Sequence, residues 1–333
     1  MNAICYENTK TTIPNFVSEL HKEQSRGYAY ETKTHFIHLY GSNKHLYMIS
    51  QGLTVVEAKK DLKLHEWVEK TFGAKNIKKI DLPVGEVIKS IWRPGLYHYK
   101  DIHQLLTHND KITSHSNQSL IILLQKLNDL FLYIHPADSS LNTYSHKTRE
   151  LLLLSATEFE SQCTSLLKEW GIKPQKANYN TADYIKVKNH GLLSKYAIIY
   201  KNTESRKAFK PFEKWKKTNP TKSLKWYDAY NKTKHNQHAD FDKATLSAVL
   251  NSIAANVIMY IVRFGPFELL NGSHLLSTYI NQLLEIELIN VNPQKFYIPL
   301  ILLPDKTRDD LFIFDPNHED LVAKWKINKR KIN

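Results

Sequence analysis

The chain has 333 residues, 42% hydrophobic and 24% charged, with 46 Lys+Arg against 33 Asp+Glu and a formal charge of +13. That is the composition of a folded protein of about two domains at roughly 150 residues each, and it excludes a disordered chain. Its 10 glycines form neither G-x-G-x-x-G nor G-x-x-x-x-G-K-[ST], and its two cysteines, Cys5 and Cys163, are too few for a disulfide framework or a cysteine-based zinc site.

In chain order, the start carries no apolar run behind basic residues, so no secretory signal is expected. His35–Tyr40 and His45–Ser50 alternate apolar and polar around Gly41, Ser42 and Asn43, which predicts a hairpin. Thr54 is placed to cap a helix through Val55, Val56, Leu62, Val68 and Phe72 that stops at Gly73, and Ile77–Leu82 reads as a strand before Pro83. Helical spacing then dominates. Ser116–His135 places Leu120, Leu123, Leu124, Leu127, Phe131 and Ile134 on one face. Ser145–Trp170 repeats the pattern from Leu151 to Leu167, capped by Ser145 and stopped by Gly171 and Pro174.

Leu192–Tyr200 reads as a short strand or irregular connection, and the polar stretch Lys201–Pro220 carries the apolar anchors Phe209, Pro211, Phe212 and Trp215. A last long helix is expected over Phe241–Arg263, ended by Gly265 and Pro266. Its apolar run, 249–262, is interrupted by Asn251, Ser252 and Asn256 and reads as too short and too polar to span a bilayer. Ile298–Leu303 and Leu311–Phe314 are short apolar runs of β character, and Lys324–Asn333 is a basic end expected to be loose. The expected organisation is an α+β region over 1–115, a helical domain over 116–266, and a β-containing extension with a basic tail over 267–333. The whole reads as mainly α, soluble and cytoplasmic, with no metal or cofactor and no membrane partner.

The charge is concentrated. Residues 168–238 hold 17 basic and 5 acidic groups, a net of +12, whereas 1–150 carry +4, 151–167 carry −2 and 239–333 carry −1. Such a window is either a solvated lysine-rich face or a surface for a polyanion, with RNA or DNA the commonest. Only Arg206 among its basic residues is an arginine. Lysine lacks the planar fork that reads base edges, so backbone binding is favoured over sequence readout.

That window ends in WYDAYNKTKHNQHADFDKA, Trp226–Ala244. Trp226, Tyr227 and Tyr230 stand beside Asn231, Lys232, Lys234, His235, Asn236 and His238, with Lys225 just ahead. Cations and aromatics there suit a phosphate or a base, and a histidine near neutrality could move a proton. In the competing reading the aromatics are core and the polar residues a helix end. Glu158 and Glu160, two apart on the preceding long helix, face different sides, so at most one points inward, toward Lys232, Tyr230 or His235. His98, His103 and His108 make no standard zinc motif, and Ser114-His115 and Ser273-His274 lack a G-x-S-x-G elbow.

The run from Trp226 to His235 resembles the W-[WY]-x-x-Y-N-x-x-K-H segment of bacterial members of the HEPN superfamily. Thr143–Glu160 resembles their earlier helix with its E-x-E pair, and Ala208–Trp215 (AFKPFEKW) resembles their F-x-P-[FW]-x-x-W element. The similarity spans roughly 116–265. It implies a helical bundle, often dimeric, and many superfamily members are metal-independent ribonucleases of toxin–antitoxin, abortive-infection and other antiviral systems. Their usual motif is an Arg that holds the phosphate, a short spacer, and a His at the start of the last helix. Here no Arg precedes His235 or His238 at short spacing, Lys232 is the nearest cation, and Gln237 stands where an Arg is common.

The expectation is an RNA-acting homodimer with Lys232, His235 and His238 near a phosphate. Tyr230, Asn231, Lys234, Asn236 and Lys225 would contact the nucleic acid, and Glu158, Glu160, Trp226 and Tyr227 would support the site. The alternatives are a non-catalytic module for nucleic acid or an acidic protein partner, and a structural dimer.

Overall fold

The computed structural model describes residues 1–11, 19–42, 46, 49–95, 110–270, 272–303, 311–313, 322–324 and 326–328. The chain is mixed α+β and divides into two units. One draws on Met1–Ile88, Arg93–Leu105 and Val291–Lys329, the other on Lys89–Trp92 and Leu106–Asn290 with the last four residues.

The first unit is built on a six-stranded antiparallel sheet. Its order is β11 (Leu311–Ile313), β4 (Ile49–Glu57), β3 (His35–Gly41), β2 (Arg26–Glu31), β1 (Ala3–Glu7), β5 (Lys75–Lys79). β3 and β4 pair antiparallel as expected for the hairpin, with Phe36 opposite Val56; Asn43 to His45 in the connection lie outside the described residues. The helix expected from Thr54 begins later: 54–57 continue β4, and helix α1 is Leu64–Phe72, with Lys63 as its N-cap. Leu53, Thr54 and Val55 sit between two neighbouring strands and Val56 pairs with β3, and that pairing overrides the helical spacing that joined Val55 to Leu62. Gly73 does end α1, at φ 58°, where a side chain would be strained.

α1 covers one face of the sheet through Trp67, Val68 and Phe72, which pack on Tyr6, Phe36 and Tyr40. Phe36 stacks on Trp67 at 5.3 Å between ring centroids. The opposite face carries Tyr28 and Tyr30, met by the chain after 291: Phe296 lies 6.2 Å from Tyr28, and the Ile301 amide donates to the Tyr30 hydroxyl at 2.9 Å. Both faces are therefore buried, which is why β2 and β3 read as near-continuous apolar runs.

The expected extension over 267–333 is thus not one unit. β9 (Leu284–Leu288) lies in the second unit against β7 (Tyr196–Tyr200), while β11 completes the first unit's sheet. β10 (Leu300–Leu302) pairs with β12 (Val322–Lys324), and β13 (Lys326–Asn328) runs parallel to β6 (Glu86–Ile88). Of the expected basic end, the described residues 324 and 326–328 are strand, because the β10 and β6 edges supply them with backbone partners.

The second unit is a helical bundle. Its long members are α2 (Asp110–Phe131), α3 (His146–Glu169), α4 (Lys225–His235), α5 (Leu246–Phe264) and α6 (Leu275–Leu283), with a small sheet of β7, β8 (Ala208–Phe209) and β9. Ser145 caps α3 by accepting from the Thr148 amide at 3.2 Å, as its position predicts. α5 begins at Leu246 rather than 241 because Thr245 caps it, accepting from the Ala248 amide.

With 19 residues α5 has the length and apolarity to cross a bilayer, a correction to the shorter stretch read from sequence, yet 89% of that window is buried within the fold. Its polar breaks are spent inside. Asn256 donates to the Ser155 and Ser252 carbonyls at 2.8 and 2.9 Å, and the Ser155 and Ser252 hydroxyls bond to each other. Small side chains there let α3 and α5 approach closely. Cys5 and Cys163 are buried free thiols, and burial pushes Cys5 up to about 11. His98, His103 and His108 lie outside the described residues.

His38 gives the first unit a pH signature. Its Nδ1 meets the Tyr6 hydroxyl at 2.6 Å, its ring stacks on Phe72 at 3.7 Å, and burial holds the imidazole well below its ordinary value. The unfolded chain binds a proton below about pH 6.5 and the folded one does not, so this stability is complete above that pH and declines as pH falls, by up to about 1.4 kcal/mol per pH unit. Urea denaturation of the wild type from about pH 7 to pH 5 should show this slope, and His38→Gln should flatten it.

Candidate functional site

The segment singled out by sequence forms α4 and the short helix Gln237–Asp240 after it. Trp226, Tyr227, Tyr230 and Thr233 make the buried stripe of α4, spaced 1, 3 and 3 residues apart, while Lys225, Lys232, Lys234 and His235 are exposed. One face of the helix is therefore core and the other is cationic.

The core side is organised by Phe159, which lies between Glu158 and Glu160 on α3. Its ring is 5.2 Å from Trp226, 5.8 Å from Phe212, and 6.2–6.3 Å from Tyr184, Trp215 and Tyr227. Edge-to-face contacts of this kind add to area burial. All three motifs of the resemblance thus meet at one ring.

Glu160 accepts from the Tyr227 hydroxyl in a short hydrogen bond and from the Tyr230 hydroxyl at 3.4 Å. Of the inward donors considered from sequence, the structure selects Tyr230, not Lys232 or His235. Burial and the Glu160 carboxylate push the Tyr227 phenol far up, so it donates at every physiological pH. Lys234 Nζ donates to the Tyr230 hydroxyl at 2.9 Å and lies 5.1 Å from that ring. Glu158 goes elsewhere, accepting from Gln162 Nε2 at 3.2 Å.

The residues expected to act on phosphate do not assemble around one centre. Lys232 is tied to Asp228 at 2.9 Å, and that carboxylate raises its pKa. His235 ends α4, His238 sits in the following turn, and both are exposed. Asn231 is half-buried, and exposed Asn236 caps α4 with its amide on the Lys232 carbonyl.

Beside the cationic face of α4 lie two cavities of about 480 and 510 Å³ that share Lys225, Ala229, Lys243 and Thr245 and so form one groove. Six lysines line it: Lys207, Lys210, Lys214, Lys225, Lys232 and Lys243. Glu213, Asp228 and Asp242 pair with Lys210, Lys232 and Lys243, and among the described residues no ion pair engages Lys207, Lys214 or Lys225. Thr245, Ser247 and Ala248 bring the first turn of α5 to the same groove, adding the positive end of a 19-residue helix dipole. His235 and His238 line neither cavity.

Of these lysines, the sequence reading named Lys225 and Lys232. The other four come from the loop before α4 and the turn before α5. They were visible only as part of the +12 window or just beyond it. Arg149 was also missed. Its position on α3 lets Nη2 donate to the Thr233 carbonyl at 3.2 Å, which brings a guanidinium to the end of α4, two residues from His235 in sequence. No sequence spacing connects the two.

Among the described residues no group of three or more His, Cys, Asp or Glu is placed to hold a metal ion. Comparison with protein-family models, curated proteins and solved structures finds no match.

Tyr227→Phe removes a charged-acceptor hydrogen bond from a half-buried carboxylate and should cost about 1–3 kcal/mol in urea denaturation. His235→Ala, at an exposed helix end, should stay within about 0.5 kcal/mol of wild type. A large loss on His235→Ala would instead assign that histidine to packing.

Proposed function

We propose that the helical unit binds RNA through its phosphate backbone, along the groove lined by the six lysines. The observation that carries this reading is the convergence of Lys207, Lys214 and Lys225, which have no ion pair among the described residues, with the N-terminal turn of α5 on one continuous cleft. Fixed positive charge in a concave, partly low-dielectric site concentrates a polyanion and releases its counterions. Lysines without a guanidinium fork favour backbone contact over base readout. The resemblance to bacterial HEPN proteins over 116–265 supports RNA over other polyanions, and with it a bundle of that fold, a homodimer and a cytoplasmic role in antiviral defence.

Fluorescence anisotropy with single-stranded RNA tests this. Wild type should bind with an affinity that falls steeply with salt. Simultaneous Lys207→Ala, Lys214→Ala and Lys225→Ala should weaken binding and reduce the log–log salt slope by about 2, three contacts at roughly 0.7 each. His235→Ala with His238→Ala should bind as wild type. Salt-insensitive binding, or a triple variant that binds unchanged, would overturn the reading.

A second reading, metal-independent cleavage, is favoured by the placement of Arg149 at the end of α4. It would provide in space the guanidinium that is absent upstream of His235, with the ribose 2′-hydroxyl giving its proton to a histidine as it attacks the adjacent phosphate, the P–O5′ bond breaking, and the 5′-oxygen leaving protonated to give a 2′,3′-cyclic phosphate. Incubation of RNA with the protein in EDTA decides it. Cleavage abolished by both Arg149→Ala and His235→Ala supports it, and intact RNA with wild type removes it.

A further inference from the structure

The groove beside α4 is not uniform along its length. Its cavity of about 480 Å³ is lined by five lysines against one carboxylate, Glu213. In the cavity of about 510 Å³, three lysines face two carboxylates, Asp228 and Asp242. Positive charge thus falls off from one end to the other, and the less cationic end is where an aromatic ring stands in the open.

That ring belongs to Tyr144, which is 49% exposed and lines the second cavity with Lys225, Lys232 and Lys243. The other aromatic residues of the groove, Phe209 and Trp226, are 5% and 3% exposed and belong to the core. A single exposed aromatic on an open surface is ordinary. This one stands in a cleft whose charge gathers phosphates.

The backbone holds Tyr144 in place from both sides. It forms an antiparallel bridge with Thr245, just ahead of α5, and the Leu246 amide donates to the Thr143 carbonyl at 2.8 Å. On its other side the Ser145 amide donates to the Thr148 hydroxyl at 2.7 Å within the cap of α3. The Tyr144 ring meets Phe241 edge-to-face, with 5.8 Å between centroids and 89° between planes. In that arrangement one ring turns its edge to the face of the other, so Phe241 covers at most one face of Tyr144. A ring so anchored, with a face left open, loses little freedom when a second flat group stacks on it.

An A-form duplex has no such group to offer along its length, because each base is already stacked on both faces. An unpaired nucleotide can turn its base out of the strand. Lysines that track a backbone, joined by an aromatic platform, are the two elements of single-strand binding. We propose, on the RNA-binding reading of this groove, that Tyr144 is a stacking platform for an unpaired base and makes the groove selective for single-stranded RNA. The lysines of the more cationic cavity hold phosphates, and the base of a nucleotide near Lys225 lies on the open face of Tyr144.

Fluorescence anisotropy with an RNA of about 12 nucleotides, free or paired with its complement, tests this. Tyr144→Ala should weaken single-strand binding about tenfold and leave duplex binding unchanged. Stacking releases no counterion, so the loss should be equal at each salt concentration and the log–log salt slope unaltered, unlike that of the triple lysine variant. Tyr144→Phe and Tyr144→Trp keep a flat ring and should bind within about twofold of wild type. Tyr144→Leu, which preserves apolar packing on Phe241, should lose as much as Tyr144→Ala. Binding that weakens in the triple lysine variant yet is unchanged in Tyr144→Ala would overturn this inference alone. So would an equal loss on single strand and duplex, or full binding by Tyr144→Leu. A wild type that binds neither RNA would overturn the groove reading and this inference together.

Discussion

The helical unit depends on how one turn of α3 is shared out. Phe159 points to the interior and meets five aromatic rings. They come from the loop after β8, from α4 and from the turn around Tyr184. Its neighbours in sequence are then forced to opposite sides of that ring. Glu160 turns toward α4 and takes the Tyr227 and Tyr230 hydroxyls, and Glu158 turns toward Gln162. A half-buried carboxylate with two phenol donors fixes the rotation of α4 about its axis, because rotating the helix would leave the charge without partners.

That rotation decides where the cations go. With Trp226, Tyr227, Tyr230 and Thr233 committed to the core, Lys225, Asp228, Ala229 and Lys232 must form the opposite stripe, and this stripe is one wall of the groove. The aromatic anchors Phe212 and Trp215 do the same for the preceding loop. By packing on Phe159 they hold Lys207, Lys210 and Lys214 along the facing wall. The aromatic and cationic halves of the motif are therefore not joint members of one site. The first is the scaffold that presents the second.

Much of the architecture was legible because the signals were local. The Ser145 cap, the glycine stops at 73 and 171 and the apolar spacing of α3 and α5 need only a few neighbouring residues and are found close to their expected places, whereas α2 runs Asp110–Phe131 instead of 116–135 and leaves Ile134 outside it. Where the reading failed, the deciding partner was distant in sequence. Residues 54–57 are strand because β3 pairs along them, with β11 on the far side of 54 and 55, and the stretch after 267 divides between two sheets because β9 and β11 find edges some 90 to 260 positions earlier. The candidate site divides in the same way. Lys225 and Lys232 could be named from the motif, but Lys207, Lys214, Lys243 and Arg149 join it only through packing.

The concentration of charge, +12 within 71 residues of a chain whose total is +13, is a property of the sequence alone, and so is the supply of aromatics interleaved with it. Helical spacing also fixed which residues of α4 share a face. What tertiary structure decided is which face is buried, and this inverted the standing of the expected site. Tyr230 and Tyr227 became interior ligands of Glu160, His235 and His238 became exposed ends, and three lysines without an ion pair among the described residues became the defining feature of the groove. The physical reason is that burial and hydrogen-bond satisfaction are settled between elements, whereas charge and periodicity are written within them.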